Sequence, residues 1–300
     1  MNERARYGGM KSILEVPLLN EKYVAKAPAS PADAVMLDLE DSVPTERKAE
    51  ARDRAVRVLA DSNAFVGKHV FVRINNLATP WGHDDLRALA QCPGEIHVCY
   101  PKVEARDEMQ EVVGATRAGA GTRGVYAMIE TARALIEIDR IAPCPGLVGL
   151  HFGYVDYAAD VGCQLFNADG DDLHPAMAYA RTKVSVAAAA YGIFATGGSM
   201  VPEFKDMAKV ETFVQGWLTY GYTACMALSP SHLEIVNRVF RPSAAMIDEA
   251  RRICAAFEAA TAAGQLNAIL EGRVITTPDY RNASQILARA ANGGGVKTGT

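Results

Sequence analysis

The sequence offers no cysteine pair of the CxxC kind: Cys92, Cys99, Cys144, Cys163, Cys225 and Cys254 are scattered, some within apolar runs such as IHVCYP and YTACMAL. That spacing argues against a disulfide framework, and buried free thiols in a reducing cytoplasm are the plain reading. No apolar run approaches the roughly 18 residues needed to span a membrane. The opening MNERARYGGMK is charged and lacks an apolar signal core, so a cytoplasmic protein without a membrane partner is expected. Charge is also unconcentrated. Both signs are spread along a chain of formal net charge -4, with no basic patch or stripe, which argues against a nucleic-acid binder. Acidic substrates stay open, because a local site can be positive on a mildly acidic protein. No HxH or HExxH spacing occurs, which disfavours zinc. No GxGxxG follows the first strand, which lowers dinucleotide binding, and no repeat has a fixed period.

What is present is a large core and a regular alternation. The 300 residues are 49% hydrophobic and 22% charged, enough for one large α/β domain. Short, β-branched-rich runs read as strands: KSILEVP (11–17), DAVMLDLE (33–40), HVFVRIN (69–75) and EIHVCYPKV (95–103). They continue with GVYAMIE (124–130), LVGLHFG (147–153), YGIFATGG (191–198) and YTACMALSP (222–230). Amphipathic stretches lie between them, such as PTERKAEARDRAVRVLA, with Pro44 at an expected first helical position. Eight mostly apolar strands alternating with helices predict a (β/α)8 TIM barrel, with a doubly wound open sheet as the structural rival. A helix of about twenty residues, SAAMIDEARRICAAFEAATAAG, and an appended segment follow, and ANGGGVKTGT reads as a flexible tail. The expected division is a catalytic barrel over 1–240 and a C-terminal helix and arm over 241–300.

Polar residues close the strands in order: Glu40 and Asp41, Arg73 and Asn75, Lys102 and Glu104, Glu130, then Asp156 just past Gly153. In a barrel these ends converge on one mouth, where active sites lie. A single acid after a strand is usually a helix cap, and for Asp41 or Asp156 alone capping is the first explanation. Arg73, flanked by apolar strand residues, needs a partner, because an isolated buried charge is too costly. Glu40, Glu130 or a substrate carboxylate could serve. His151 in LHFG reads as a packed core histidine. Carboxylates without histidine or thiolate suit a hard cation, and Mg²⁺ fits best, since it keeps positions for water and substrate. With a guanidinium fork beside it, the set suits stabilising an enolate next to a carbonyl.

At this point the motifs ADAVMLDLEDSVPTERKAEAR, VRINNLATPWGHDDL, YPKVE, MIETARAL, FGYVDYAADVG and PSHLEIVNRVFRPSAAMIDEARRI together resemble the CitE-like group of the HpcH/HpaI aldolase superfamily. That group includes citrate lyase β subunits and malyl-CoA lyases, and the resemblance runs from about residue 11 to 290. It implies a Mg²⁺-dependent barrel, commonly trimeric, that cleaves or forms carbon–carbon bonds in acyl thioesters of 3-hydroxy acids. By resemblance Glu130 and Asp156 are the metal ligands, and Arg73 holds the substrate's oxo or carboxylate oxygens. Glu40 and Asp41 orient water and Arg73, and Lys102 sits beneath the site as a support. Lys11, Lys22 and Lys26 are candidate partners for the phosphates of CoA, each equally explained as a solvated lysine.

Three positions depart from the family pattern. VPLLN has Leu18 where the relatives carry a small residue beside the thioester's phosphates. Val155 stands where a glutamate often precedes the metal-binding aspartate. Thr276 stands where the arm has an aspartate that reaches a neighbour's site and moves the proton at the thioester's α-carbon, which argues against acetyl-CoA chemistry. The expected function is a Mg²⁺-dependent carbon–carbon lyase for a small 3-hydroxy diacid, as a CoA or carrier-protein thioester. A thioester-independent oxo-acid aldolase and a catalytically reduced keto-acid-binding paralogue are the alternatives.

Overall fold

The computed structural model describes residues 3–118 and 124–292, so most of the expected tail at 291–300 lies outside the described residues. Eight parallel strands close into a barrel in chain order. They are β1 (Ser12–Pro17), β2 (Ala34–Asp38), β3 (His69–Arg73), β4 (Ile96–Tyr100), β5 (Val125–Ile129), β6 (Leu147–Phe152), β7 (Phe194–Gly198) and β8 (Ala224–Ala227). Each lies within an expected run. β8 returns to β1 with Ile13 opposite Met226, so the sheet has no free edge and the open-sheet rival is excluded.

Side chains alternate along each strand, and the alternation separates two cores. Ile13, Ala34, Met36, Phe71, Cys99, Tyr126, Met128 and Phe194 fill the barrel interior. Leu14, Val16, Val35, Leu37, Val70 and Val72 face outward into the shell of helices. The period of two carries a second message: two residues on from interior Ile13, Met36, Phe71 and Met128 come Glu15, Asp38, Arg73 and Glu130. The interior is therefore apolar below and charged at the C-terminal mouth. The N-terminal end is closed by Tyr7, whose hydroxyl lies 3.2 Å from His97 Nε2. His151 is a packed interior residue, with Nδ1 2.9 Å from Thr196 Oγ1 and 3.1 Å from the Tyr126 hydroxyl.

After the barrel, Ser243 caps the helix Ala244–Ala262 by accepting the Met246 N–H. The hairpin β9 (Ala268–Leu270) and β10 (Arg273–Ile275) turns through Glu271 and Gly272, both at positive φ, as a tight two-residue turn requires. The helix Thr277–Asn292 then lies on Ala244–Ala262, with Phe257 stacked on Tyr280. These pieces share a separate core of Ala250, Ile253, Cys254, Ala268, Ile275 and Ala283. Leu266 just before the hairpin, and Ile269 and Val274 on it, are exposed. Among the described residues no helix is long and apolar enough to cross a membrane.

Candidate active site

The mouth is organised around Arg73, a guanidinium only 6% exposed. Its Nε donates to Asp38 Oδ1 at 2.6 Å and its Nη2 to Asp38 Oδ2 at 2.8 Å, the planar fork-to-fork geometry that arginine alone provides. Nη2 also donates to Glu15 Oε1 at 3.0 Å. Nη1 has only long contacts, 3.5 Å to Glu40 Oε2 and 3.5 Å to Asp41 Oδ2. Nη1 is thus the face of the guanidinium left for a substrate oxygen.

Asp38 rather than Glu40 is therefore the principal partner, a correction to the sequence reading. The LDLED turn explains why. Asp38 Oδ1 and Oδ2 also accept the N–H groups of Glu40 and Ser42, both at 2.9 Å, so a fully buried carboxylate has four donors. Burial alone would raise its pKa, but the charge and hydrogen bonds of Arg73, with the two N–H groups, hold it below the ordinary value. The turn is fixed from beneath by two residues that the sequence did not flag. Buried Lys48 donates to the carbonyls of Leu39 at 3.1 Å and Glu40 at 2.7 Å. Asp85 accepts both the N–H and the side-chain amide of Asn75, which in turn donates to Leu39 O.

Lys102 does not sit beneath the site. It stands on its edge at φ +49°, and this backbone turn aims its N–H at Glu130 Oε1, 2.8 Å away. Its Nζ reaches Glu40 Oε1 at 2.6 Å, and Glu40 and the neighbouring carboxylates raise its pKa against the opposing effect of burial. Asp41 lies on the rim, with its side chain 56% exposed.

Glu130 ends β5 and is buried; Asp156 follows in the first turn of the helix Tyr154–Val161. Gly153 leaves room for the Glu130 side chain, because a Cβ there would stand 2.4 Å from Glu130 Oε2. Burial first, then the charges of Glu40 and Asp156, push the Glu130 pKa up to about 8. Glu15 is raised to about 7, chiefly by burial and with Arg73 opposing. Glu40 is raised as well, again by burial first, and its Oε2 is buried with no hydrogen-bond donor. Clustered carboxylates, one orphaned oxygen and a glycine cradle fit a hard divalent cation. Among the described residues no cluster of three or more His, Cys, Asp or Glu forms a metal cage. A two-carboxylate set suits Mg²⁺, which leaves its remaining positions to water and substrate.

Of the expected residues, the structure brings Glu40, Asp41, Arg73, Lys102, Glu130 and Asp156 to this mouth, and Lys11 to the other end. Lys11 precedes β1 and pairs with Asp33 at 3.0 Å, at the N-terminal end of the barrel, so it cannot meet a ligand at the mouth. Lys22 lies beside a groove of about 500 Å³ with Pro17, Asn20, Ser42 and Arg47, next to the mouth. Lys26 closes the short helix Glu21–Lys26, a turn farther away, and is exposed. Glu15 is the residue that sequence reasoning missed. Its signal was the same as that of Arg73, a charge inside an apolar strand.

On the arm, Thr276 N–H and Oγ1 both donate to Asp279 Oδ2, at 2.9 and 2.7 Å, and Arg273 donates to Oδ1 at 2.8 Å. These bonds lower the Asp279 pKa to about 2, so it caps a helix and is a poor base. Glu271 is paired with Arg252 in the hairpin turn.

A closed (β/α)8 barrel with Arg73 and clustered carboxylates at its C-terminal mouth is the framework of an enzyme of carbonyl chemistry. The chain belongs to the HpcH/HpaI aldolase/citrate lyase family, whose model matches residues 11–230. It is 31% identical to a (3S)-malyl-CoA thioesterase of Cereibacter sphaeroides over 281 residues, covering 93% of this chain and 94% of that protein. It is 30% identical to an L-malyl-CoA/beta-methylmalyl-CoA lyase of the same species over 295 residues, covering 91% of each. The crystal structure of Mycobacterium tuberculosis CitE with magnesium, acetoacetate and coenzyme A superposes with a TM-score of 0.77 at 27% identity. That match covers 94% of this chain and 98% of the CitE chain.

Proposed function

We propose that the protein is a Mg²⁺-dependent carbon–carbon lyase that cleaves the CoA thioester of a small 3-hydroxy diacid of the malyl or citramalyl type. The observation that carries this reading is the mouth itself, where Glu40 stands 3.5 Å from Arg73 Nη1 and its charge, with that of Asp156, acts on Glu130. Relatives named as a malyl-CoA lyase and as CitE with magnesium and coenzyme A support the substrate class.

Glu130 and Asp156 hold Mg²⁺, which when bound supplies the positive charge that makes an adjacent carbonyl a better electron sink. Arg73 donates to the oxygen that becomes the product carbonyl. Asp38 fixes the guanidinium plane, so the donor is preorganised before charge develops on that oxygen. Lys102 keeps Glu40 in place and, through its N–H, orients Glu130. The thioester's phosphates lie along the groove at Lys22 and Arg47, with Leu18 buried beneath the turn where a small residue was expected.

The protein assembles as a homotrimer, with the arm over a neighbour. The exposed Leu266, Ile269 and Val274 support this, since clustered apolar residues outside a finished core mark an interface. Cysteines that form no disulfide among the described residues support a reducing, cytoplasmic setting.

The test is product analysis with malyl-CoA and Mg²⁺: cleavage yields glyoxylate and acetyl-CoA, and Glu130→Gln loses both Mg²⁺ affinity by calorimetry and turnover. Full turnover in that variant overturns the ligand assignment. Hydrolysis of the same thioester to malate and CoA is the second reading, favoured by the thioesterase relative and by Thr276 on the arm. Malate rather than glyoxylate in the assay selects it.

A further inference from the structure

Carbon–carbon cleavage of a 3-hydroxy thioester needs a base at the hydroxyl, and most carboxylates of this mouth are committed elsewhere. Asp38 is occupied by four donors. Glu40 holds Lys102 Nζ through Oε1, and its donor-free Oε2 is the oxygen already counted toward the cation. Glu130 and Asp156 are the proposed cation ligands, and Asp41 lies on the solvent rim. His151 is tied to Tyr126 and Thr196, and His232 to Ser199 and the Phe204 carbonyl. On the arm, Asp279 is a helix cap and Glu271 is paired in a turn.

Glu15 remains. It lies on β1 two residues beyond interior Ile13, so the alternation points it into the barrel just below the mouth. Its side chain is 13% exposed, and its one hydrogen-bond partner among the described residues is Arg73 Nη2, at 3.0 Å. An oxygen bound on the free edge of that guanidinium is therefore brought next to a carboxylate with spare acceptor capacity.

We propose that Glu15 is the catalytic base that takes the proton of the substrate's 3-hydroxyl while Arg73 holds that oxygen. The proposal rests on the lyase reading given above. As the O–H proton passes to Glu15, the C3–O bond becomes a carbonyl and the C2–C3 bond breaks. Its electron pair moves to the thioester as an enolate, which takes a proton from solvent at C2. Glu15 returns its own proton to solvent, so no net proton is gained or lost.

Charged and titratable groups face Glu15 from several elements: Arg73 on β3, Asp38 on β2, Glu40 and Asp41 from the turn after it, and Tyr154 from the helix after β6. Burial and the three acids outweigh Arg73, and the resulting value of about 7 suits a base working near neutrality. The base form is the ionised one, so activity rises with pH through about 7.

The experiment compares native protein, Glu15→Gln and Glu15→Asp in malyl-CoA cleavage across pH, with a carboxyl titration by difference infrared spectroscopy between native protein and Glu15→Gln. Glutamine still accepts from Arg73 but cannot take a proton. Its kcat should fall by about 10²–10⁴-fold with little change in KM, and the rise near pH 7 should vanish. Glu15→Asp should recover part of the rate and keep the pH limb. The titration should show a carboxyl with a midpoint near 7. An active native enzyme whose Glu15→Gln variant keeps kcat and its pH profile, or loses only KM, overturns the role of Glu15 and leaves the lyase reading intact. Native protein that cleaves no 3-hydroxyacyl thioester overturns both.

Discussion

Replacing Asp38 by asparagine separates its role from that of Asp41, which approaches the same guanidinium. Asp38 is 0% exposed and satisfies two Arg73 nitrogens and two backbone N–H groups at 2.6–2.9 Å. An asparagine has one acceptor oxygen, and its NH2 would face donors that it cannot satisfy. Arg73 would lose its bidentate countercharge while remaining buried. Breaking a buried pair from one side costs about 3–5 kcal/mol. Glu15 at 3.0 Å and Glu40 at 3.5 Å still partly neutralise Arg73, so the lower end, about 3 kcal/mol, is expected. Against a total stability of about 5–15 kcal/mol that is a large fraction. With a urea m-value of about 3 kcal/mol/M, the midpoint should fall by roughly 1 M.

Asp41→Asn serves as the control, because Asp41 is mostly exposed and its contact with Arg73 is 3.5 Å long. Its effect should stay within about 0.5 kcal/mol. The sign of the pH dependence is also fixed. Asp38 has a lowered folded pKa, so its contribution is present above the ordinary aspartate range. It is lost as pH falls through the folded value, and the gap between native protein and Asp38→Asn should therefore narrow in acid. Equal midpoints for Asp38→Asn and Asp41→Asn near neutrality would falsify the claim that the LDLED turn exists to hold Arg73.

Arg73→Lys should weaken oxo-acid binding at least tenfold by calorimetry, since an ammonium cannot reproduce the fork. It should also lower thermal stability, because Asp38 loses both guanidinium donors; an unchanged melting temperature would contradict the network. Thr276→Asp should raise solvent deuterium exchange into acetyl-CoA if the arm reaches a neighbour's site, and Asp279→Asn should leave exchange unaltered because that carboxylate is held as a cap. Exchange that depends on Asp279 would refute the capping assignment. Light scattering should give a trimer at micromolar concentration, and Ile269→Asp on the exposed hairpin should shift it toward monomer. A native monomer would remove the interface.

The sequence by itself determined the eight alternating strand–helix units, and the pairing of β8 with β1 decided that they close into a barrel and not an open sheet. Strand identity rests on local periodicity and turn residues, and eight such units with helices between them have few ways to bury both faces of each strand. It also marked Arg73, because a charge inside HVFVR is costly anywhere without a partner. Tertiary structure alone decided which partner. Asp38, Glu40 and Asp41 lie within four residues, and only the folded turn, with Lys48 beneath it, assigns Asp38 the guanidinium, Glu40 the lysine and Asp41 the solvent. It likewise separated Lys11 from the mouth, because chain direction places the start of a strand at the opposite end from its finish. Glu15 could be read from SILEVP as a buried charge, but its contact with Arg73 depends on β1 and β3 flanking β2 with both side chains on the interior face. Asp279 lies three residues from Thr276 on the arm. The first turn of the helix brings Thr276 within hydrogen-bond reach of it and spends that carboxylate on a cap.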